Sequence, residues 1–257
     1  MKTVGIVQAR TGSTRLPRKV LLDLAGAPLI ARMLERVGRA RCLDALWLAT
    51  SIDPADDELA ALVSPLGIPV FRGPLDDVLG RFHAAAERAS ADVVVRLTGD
   101  CPLQDPAVIE RAVHLFLDAG GALDYLSNTL DPTFPDGLDV EVFSRAALTR
   151  ANREATLPLE REHVTPYLTG SSGRTQGVFR LGQLQAGADF SHLRWTVDEP
   201  EDLELARAVF RALLPERPQF GWLDVVALLS REPELLAMNR HLQRNERFLR
   251  QVEHGRP

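Results

Sequence analysis

The residues best equipped for chemistry stand in Val7-Gln8-Ala9-Arg10-Thr11-Gly12-Ser13-Thr14-Arg15-Leu16-Pro17-Arg18-Lys19, a segment that follows an apolar run and leads towards a helical pattern. Gly12 permits backbone angles closed to other residues, Ser13 and Thr14 supply hydroxyls, and Arg10, Arg15, Arg18 and Lys19 concentrate positive charge. We read it as a triphosphate-binding loop. Lys19 and Lys2 are the only lysines among 30 basic residues. A compact ammonium kept where arginine is otherwise the rule suits a point contact with phosphate. The charges alone also fit a solvated surface loop, so the reading depends on what the fold brings near.

Two carboxylates occupy comparable places downstream. Asp100 lies in Thr98-Gly99-Asp100-Cys101-Pro102, directly after the apolar run 92–97 with Val93-Val94-Val95 at its centre. Such a run is typical of a strand covered on both faces, and the turn after it holds the carboxylate at the strand end. Asp198, in Trp195-Thr196-Val197-Asp198-Glu199-Pro200-Glu201-Asp202-Leu203, also stands where a strand pattern meets a helix pattern. Two carboxylates suffice for Mg²⁺, whose other ligands come from substrate phosphates and water. The plainer alternatives are a turn residue for Asp100 and a helix cap for Asp198. Cys101 has no histidine near it in sequence to activate it, and with Cys42 it makes neither a disulfide framework nor a zinc site. Asp139 and Glu141 alternate along a strand pattern and so share a face, and Glu162 and His163 follow in a helix pattern. These four suit an acceptor that is rich in hydroxyls or cationic; a solvated helix face around Glu162 is the alternative.

Apolar runs at 3–8, 43–50, 68–71 and 92–97 alternate with helical periodicities at 28–40, 54–66, 75–89 and 106–118. This alternation predicts an α/β fold with a parallel sheet and right-handed crossovers, whose ligands collect beyond the carboxyl ends of the strands. Both the basic loop and the Asp100 turn fall there. After 118 the pattern weakens, and residues 125–137 are rich in turn formers. Strands are expected at 138–143, 176–181 and 193–197, and helices at 145–154 behind a Ser144 cap, 158–168 and 200–213. We place an α/β domain at 1–214 with an excursion at about 124–192, and a helical extension at 215–257. In that extension Arg240, Arg244, Arg247 and Arg250 are expected to form a solvated charged stripe.

The 257 residues, 45% hydrophobic and 25% charged, match an ordinary globular protein with a substantial core. A net charge of −5 steers the molecule neither to nucleic acid nor to an anionic membrane, which leaves a small partner for the local basic loop. No stretch approaches the ~20 apolar residues of a membrane span, and the start carries no signal core, so a cytoplasmic location is expected.

Taken together, the loop Gln8-Ala9-Arg10-x-Gly12-Ser13-x-Arg15-Leu16-Pro17-x-Lys19, the Gly99-Asp100-x-Pro102 turn and Val197-Asp198-x-Pro200-Glu201-Asp202-Leu203 resemble the cytidylyltransferases that make CMP-activated sugar acids. Arg72-Gly73, Phe134-Pro135-Asp136-Gly137-Leu138-Asp139-Val140-Glu141 and Glu160-Arg161-Glu162-His163-Val164-Thr165-Pro166 are similar to the spore-coat polysaccharide branch. The resemblance implies a nucleotide-diphospho-sugar transferase-like, Rossmann-like fold with a mostly parallel central sheet and C-terminal helices, Mg²⁺ as cofactor, CTP and a sugar acid as substrates, and a homodimer. It assigns the triphosphate to Arg10 and Lys19, with Ala9, Gly12, Ser13 and Arg15 around it, and Mg²⁺ to Asp100 and Asp198. The nucleotide pocket would draw further on Arg72, Gly73, Asp77, Leu97, Thr98 and Gly99, and the acceptor on Asp139, Glu141, Glu162 and His163. Arg10, Lys19 and Asp100 would carry the catalysis. One departure concerns the base. The octulosonate enzymes have Gln-Gly-Asp and a Ser-Gly-Thr-(Asp/Glu)-Arg segment, whereas this chain has Thr98-Gly99-Asp100 and Arg72-Gly73-Pro74-Leu75-Asp76. A nucleotide-sugar-dependent glycosyltransferase and a nucleotide-binding module without turnover are the competing readings.

Overall fold

The computed structural model describes residues 1–173 and 175–244. The strongest apolar runs form the middle of the sheet. β1 (Thr3–Gln8) is flanked by β2 (Ala45–Ser51), which β3 (Val70–Gly73) follows, and on its other side by β4 (Val93–Thr98); all four run parallel. β5 (Tyr125–Ser127), β6 (Glu141–Ser144) and β7 (Leu181–Gln183) complete a seven-stranded sheet of order β3-β2-β1-β4-β6-β5-β7. Only β6 is antiparallel to its neighbours among the described strands, so the sheet is mostly parallel.

Helices cover both faces, as buried parallel strands require. α1 (Leu29–Val37), α2 (Asp57–Val63), α4 (Pro106–Asp118), α8 (Pro200–Leu213) and α9 (Trp222–Arg231) pack on one side; α3 (Val78–Arg88) and α5 (Arg145–Glu154) pack on the other. The period of two in β4 shows directly: Val93 and Val95 join the first core while Val94 joins the second, and all three are fully buried. Ser144 caps α5 as expected, its hydroxyl accepting from the Ala147 amide at 3.1 Å. No helix among the described residues is long and apolar enough to cross a membrane.

The register places the site. Gln8 pairs with Thr98, so the loop after β1 and the turn after β4 leave the sheet side by side. Gly99 makes this possible, because its amide donates to the Gln8 carbonyl at 2.7 Å and a Cβ there would lie 2.7 Å from the Ala9 Cβ.

Five expectations for the second half need correction. Residues 125–127, read as turn, are the short buried strand β5, too brief to show periodicity. The strand expected at 138–143 begins only at Glu141, and that expected at 176–181 lies at Leu181–Gln183. Residues 193–197 form no strand; Arg194 makes a single bridge to Asp136. The helix expected at 158–168 is broken into α6 (Pro158–His163) and α7 (Pro166–Thr169). Between them Val164 takes φ 72° and ψ −55°, and the Thr165 amide donates to the His163 carbonyl at 2.8 Å. This is a γ-turn of the rare, strained sense, and it sits in a fully buried valine.

Candidate active site

A cleft of about 570 Å³ opens beyond the carboxyl ends of β1 and β4. The basic loop forms one wall. Its anchor is Asp56, which is buried: Oδ1 accepts from the Thr11 amide at 2.7 Å and the Thr11 hydroxyl at 2.8 Å, and Oδ2 accepts from the Ser51 hydroxyl. Burial opposes the ionised form, but these donors outweigh it and hold the carboxyl below the usual aspartate range. Asp56→Ala is therefore expected to lower unfolding free energy by about 2–3 kcal/mol and to weaken triphosphate binding, because three donors lose their acceptor and the loop loses its pin. Urea denaturation and calorimetric titration check the two effects. Gly12 does not use its conformational freedom, since its φ is not in the left-handed region; a Cβ there would meet nothing within 4 Å. Its value is open space along the loop. Arg18 takes the left-handed conformation instead, at φ 58°, just before Lys19.

Lys19 turns inwards in a short 3₁₀ helix, Lys19–Leu21, and its Nζ lies 2.7 Å from Asp100 Oδ2 and 2.7 Å from Asp198 Oδ1. Burial pulls the ammonium pKa down, yet the two carboxylates prevail and leave it above the ordinary lysine value. Burial likewise acts to raise Asp100, and the Lys19 charge and hydrogen bond override it to hold the carboxyl at about 2. Asp198 also takes Arg15 Nη2 at 2.9 Å and Arg194 Nη2 at 3.3 Å. Neither aspartate is the structural cap its sequence position allows. Asp105 caps α4, Glu199 is the N-cap of α8, and the Asp202 carboxylate accepts from the Asp198 and Glu199 amides. The Asp198 turn is tied to the Asp100 turn by the Val197 amide donating to the Asp100 carbonyl at 2.8 Å. Cys101 beside them is buried, and burial with the Asp100 charge pushes its thiol far up, which removes it as a nucleophile.

The opposite wall is rich in carboxylates. Glu141 accepts from Tyr125 at 2.7 Å and pairs with Arg96, whose Nε donates to Gln8 Oε1 at 3.1 Å. Asp139 precedes β6 rather than sharing a strand with Glu141, although both line the cleft. Asp136 is buried next to Arg194 at 3.2 Å; burial and then the Asp139 charge push it up to about 7. Its loop depends on Gly137, at φ 103°, where a Cβ would stand 2.7 Å from the Trp195 carbonyl carbon. At the rim, Glu162 lies 3.8 Å from Arg10, and the γ-turn at Val164 follows His163 and precedes Thr165, both of which also line the cleft.

The fold thus brings Ala9, Arg10, Gly12, Ser13, Arg15, Lys19, Thr98, Gly99, Asp100, Asp139, Glu141, Glu162, His163 and Asp198 to one cleft. Arg72, Gly73, Asp77 and Leu97 do not line it. Arg72 is occupied with the Ser51 and Asp53 carbonyls and Asp57, and Leu97 is buried in the core. Asp77 caps α3 at the Gly80 amide and binds Arg161 through both oxygens. In their place the structure offers Arg81, 2% exposed, which donates to the Pro74 carbonyl at 2.9 Å while its Nε has no partner among the described residues. Burial and the charge of Arg10 lower its pKa to about 10. Its signal was present in the sequence: with Asp77 read as a cap, Arg81 follows one helical turn later on the same face. Arg96 and Arg194 were also missed, having no motif of their own, and Asp136 was given no role although it stands in the Phe134–Glu141 motif. The expected arginine stripe at the C-terminus is corrected too. Arg244 is drawn in to Asp139 at 2.6 Å, while Arg247 and Arg250 lie outside the described residues.

Comparison with known proteins agrees with this architecture. The family model described as cytidylyltransferase matches residues 4–214. The spore coat polysaccharide biosynthesis protein SpsF of Bacillus subtilis is 34% identical over 236 residues, covering 89% of this chain and 94% of that protein. A 3-deoxy-manno-octulosonate cytidylyltransferase of Anaeromyxobacter sp. (strain Fw109-5) is 33% identical over 240 residues, covering 80% of this chain and 96% of the relative. A solved cytidylyltransferase structure from Leptospira borgpetersenii superposes with a TM-score of 0.86 at 32% identity, over 92% of this chain and 97% of that one. With its mostly parallel seven-stranded sheet of the nucleotide-diphospho-sugar transferase fold, this chain belongs to the cytidylyltransferase family of nucleotidyltransferases.

Proposed function

We propose that the protein transfers CMP from CTP to a sugar acid or a similar acceptor, with release of pyrophosphate, in the synthesis of a surface polysaccharide or glycoconjugate. The observation that carries this reading is the ammonium of Lys19 held between Asp100 and Asp198 at the foot of the basic loop. Two carboxylates that converge on one cationic atom, open to a cleft and supplied with hard oxygen donors, fit a divalent metal such as Mg²⁺. Asp100 and Asp198 would hold it, and when bound it would neutralise charge on the phosphate oxygens. The remaining work falls to the chain. Lys19 and Arg15 have alternative anionic partners in a triphosphate, Arg10 reaches it from the loop, and the space beside Gly12 admits it. An acceptor hydroxyl oxygen, positioned by Asp139 and Glu141, would attack the α-phosphorus and give up its proton to solvent while the bond to the β-phosphate oxygen breaks. Charge accumulates on the leaving pyrophosphate, where the basic loop stands. The buried Cys101 thiol plays no covalent part.

We assign Arg81 to nucleotide binding. Arg81→Gln is expected to raise the KM for CTP about tenfold with a smaller change in kcat, as loss of uniform binding does. The fold should tolerate it, since a buried guanidinium with an unpartnered N–H contributes little net stability. An unchanged KM would remove Arg81 from the nucleotide site.

The test of function is a pyrophosphate-release assay of CTP, UTP, ATP and GTP against sugar acids, phosphorylated and phosphonate acceptors, with and without Mg²⁺. CTP-specific, metal-dependent release supports the proposal. Consumption of a nucleotide-sugar with release of nucleoside diphosphate would establish a glycosyltransferase instead, and binding of CTP without turnover of any acceptor would leave a nucleotide-binding module. Sedimentation of the purified protein checks the homodimer expected from the family.

A further inference from the structure

The family match ends at residue 214, yet the chain beyond α10 (Pro233–Ala237) returns to the cleft. Asn239, 2% exposed, donates from Nδ2 to the Arg194 carbonyl at 2.9 Å and to Asp202 Oδ1 at 2.8 Å. Gln243 lines the cleft, and its carbonyl accepts from Arg194 Nη1 at 3.0 Å. Arg244 donates from Nη2 to Asp139 Oδ1 at 2.6 Å and from Nη1 to the Phe134 carbonyl at 3.2 Å. The segment is therefore fastened to the turn that carries Asp198 and to the loop that carries Asp139. Those are the two sides between which an acceptor must fit.

We infer that residues 239–244 form an acceptor-specificity element, in which Arg244 is a positioning residue that holds Asp139 so that its second carboxylate oxygen receives a hydroxyl of the acceptor. The inference rests on the CMP-transfer reading above. Asp139 needs such a partner because it lies before β6, outside the ladder that fixes Glu141. It also shares its wall with Asp136 and Glu141, and each of those carboxylates has its own arginine, Arg194 and Arg96 respectively. Arg244 completes the series on Asp139. Its Nη2 engages Oδ1, while Oδ2 has no hydrogen-bond partner among the described residues and belongs to a side chain lining the cleft. Burial raises the Asp139 pKa and the charge of Arg244 works against that rise; in the ionised form the free oxygen accepts only, so it selects hydroxyl or ammonium donors and repels a second anion at that point. An acceptor with its carboxylate directed elsewhere and a hydroxyl directed at Asp139 meets this condition. Because Arg194 binds both Gln243 and Asp198, the same element keeps the acceptor wall in register with the carboxylates under Lys19.

Steady-state pyrophosphate release by the full-length wild type, Arg244→Gln and Arg244→Lys tests this, with 3-deoxy-manno-octulosonate and N-acetylneuraminate as acceptor probes. Arg244→Gln is expected to raise the acceptor KM at least about tenfold, the loss of one charge-assisted hydrogen bond, while the KM for CTP stays within about twofold. Arg244→Lys, which restores a cationic donor, should recover most of the acceptor affinity. An unchanged acceptor KM in Arg244→Gln, a parallel rise of both KM values with a fall in Tm, or a lysine variant no better than glutamine would overturn the inference while leaving CMP transfer intact. A wild type that binds CTP in calorimetry but turns over neither probe would overturn the sugar-acid reading, and this inference with it.

Discussion

Asp100→Asn is expected to lower kcat by at least about 10³-fold while the protein stays folded, because it removes both a proposed metal carboxylate and the charge that orients Lys19. Asparagine keeps the shape and one oxygen, so packing under the turn is preserved and the loss reports charge. The same variant makes a prediction about acid stability. The Asp100 pKa of about 2 in the fold stands below the ordinary aspartate value. Its ionised form therefore stabilises the native state above about pH 4, and that contribution, on the order of 2 kcal/mol at most for a side chain still partly open to solvent, is lost as the pH falls from about 4 to about 2. Thermal melts of Asp100→Asn should accordingly depend less on pH across that window than those of the wild type. Near-normal turnover, or an unaltered acid limb, would remove Asp100 from the metal site and from the pairing with Lys19 as a source of stability.

Lys19→Met should lower kcat by about 10²–10³-fold, the scale of losing one preorganised donor to charge that develops in the transition state. Its structural consequence is distinctive. Without the ammonium, Asp100 and Asp198 face each other with only Arg15 and Arg194 to screen Asp198, and stability falls by about 3 kcal/mol, the lower end of the cost of breaking a buried pair. The carboxylate pair then stands open to another cation. Added Mg²⁺ or Mn²⁺ should raise the Tm of Lys19→Met more than that of the wild type, in which metal must first displace the ammonium. Equal shifts in the two proteins would argue against a cation site at these aspartates. Lys19→Arg should not rescue turnover, since a planar fork is too wide for the point between two carboxylates 2.7 Å from a single nitrogen.

The first half of the fold was legible because its signals are local. A run such as 92–97 has to be a strand buried on both faces, and the helical repeats between the strands leave a parallel sheet as the consistent arrangement. The second half was harder to read for a physical reason. β5 and β7 have three residues each, too few to display a period, and the break in the helix expected at 158–168 falls at Val164 and Thr165, just before Pro166, whose missing N–H and restricted neighbour suit a helix start better than a helix interior. Leu193–Val197 has the composition of a strand but spends its hydrogen bonds on the Asp136 and Asp100 turns instead.

The candidate site divides in the same way. Sequence by itself singled out the basic loop, Asp100 at a strand end, Asp198 before a helix and the family, because each rests on residue types at short spacing beside a recognisable element. Only the tertiary structure decided that Lys19 lies between Asp100 and Asp198, that Arg81 rather than Arg72 or Asp77 enters the cleft, and that Arg244 turns inwards to Asp139. Those contacts join residues 81, 179 and 105 positions apart in the cases of Lys19 with Asp100, Lys19 with Asp198 and Arg244 with Asp139. No local propensity encodes them. They arise because the β1 and β4 registers bring two loops to one edge of the sheet, and because a buried charge persists only where the fold supplies its counter-charge.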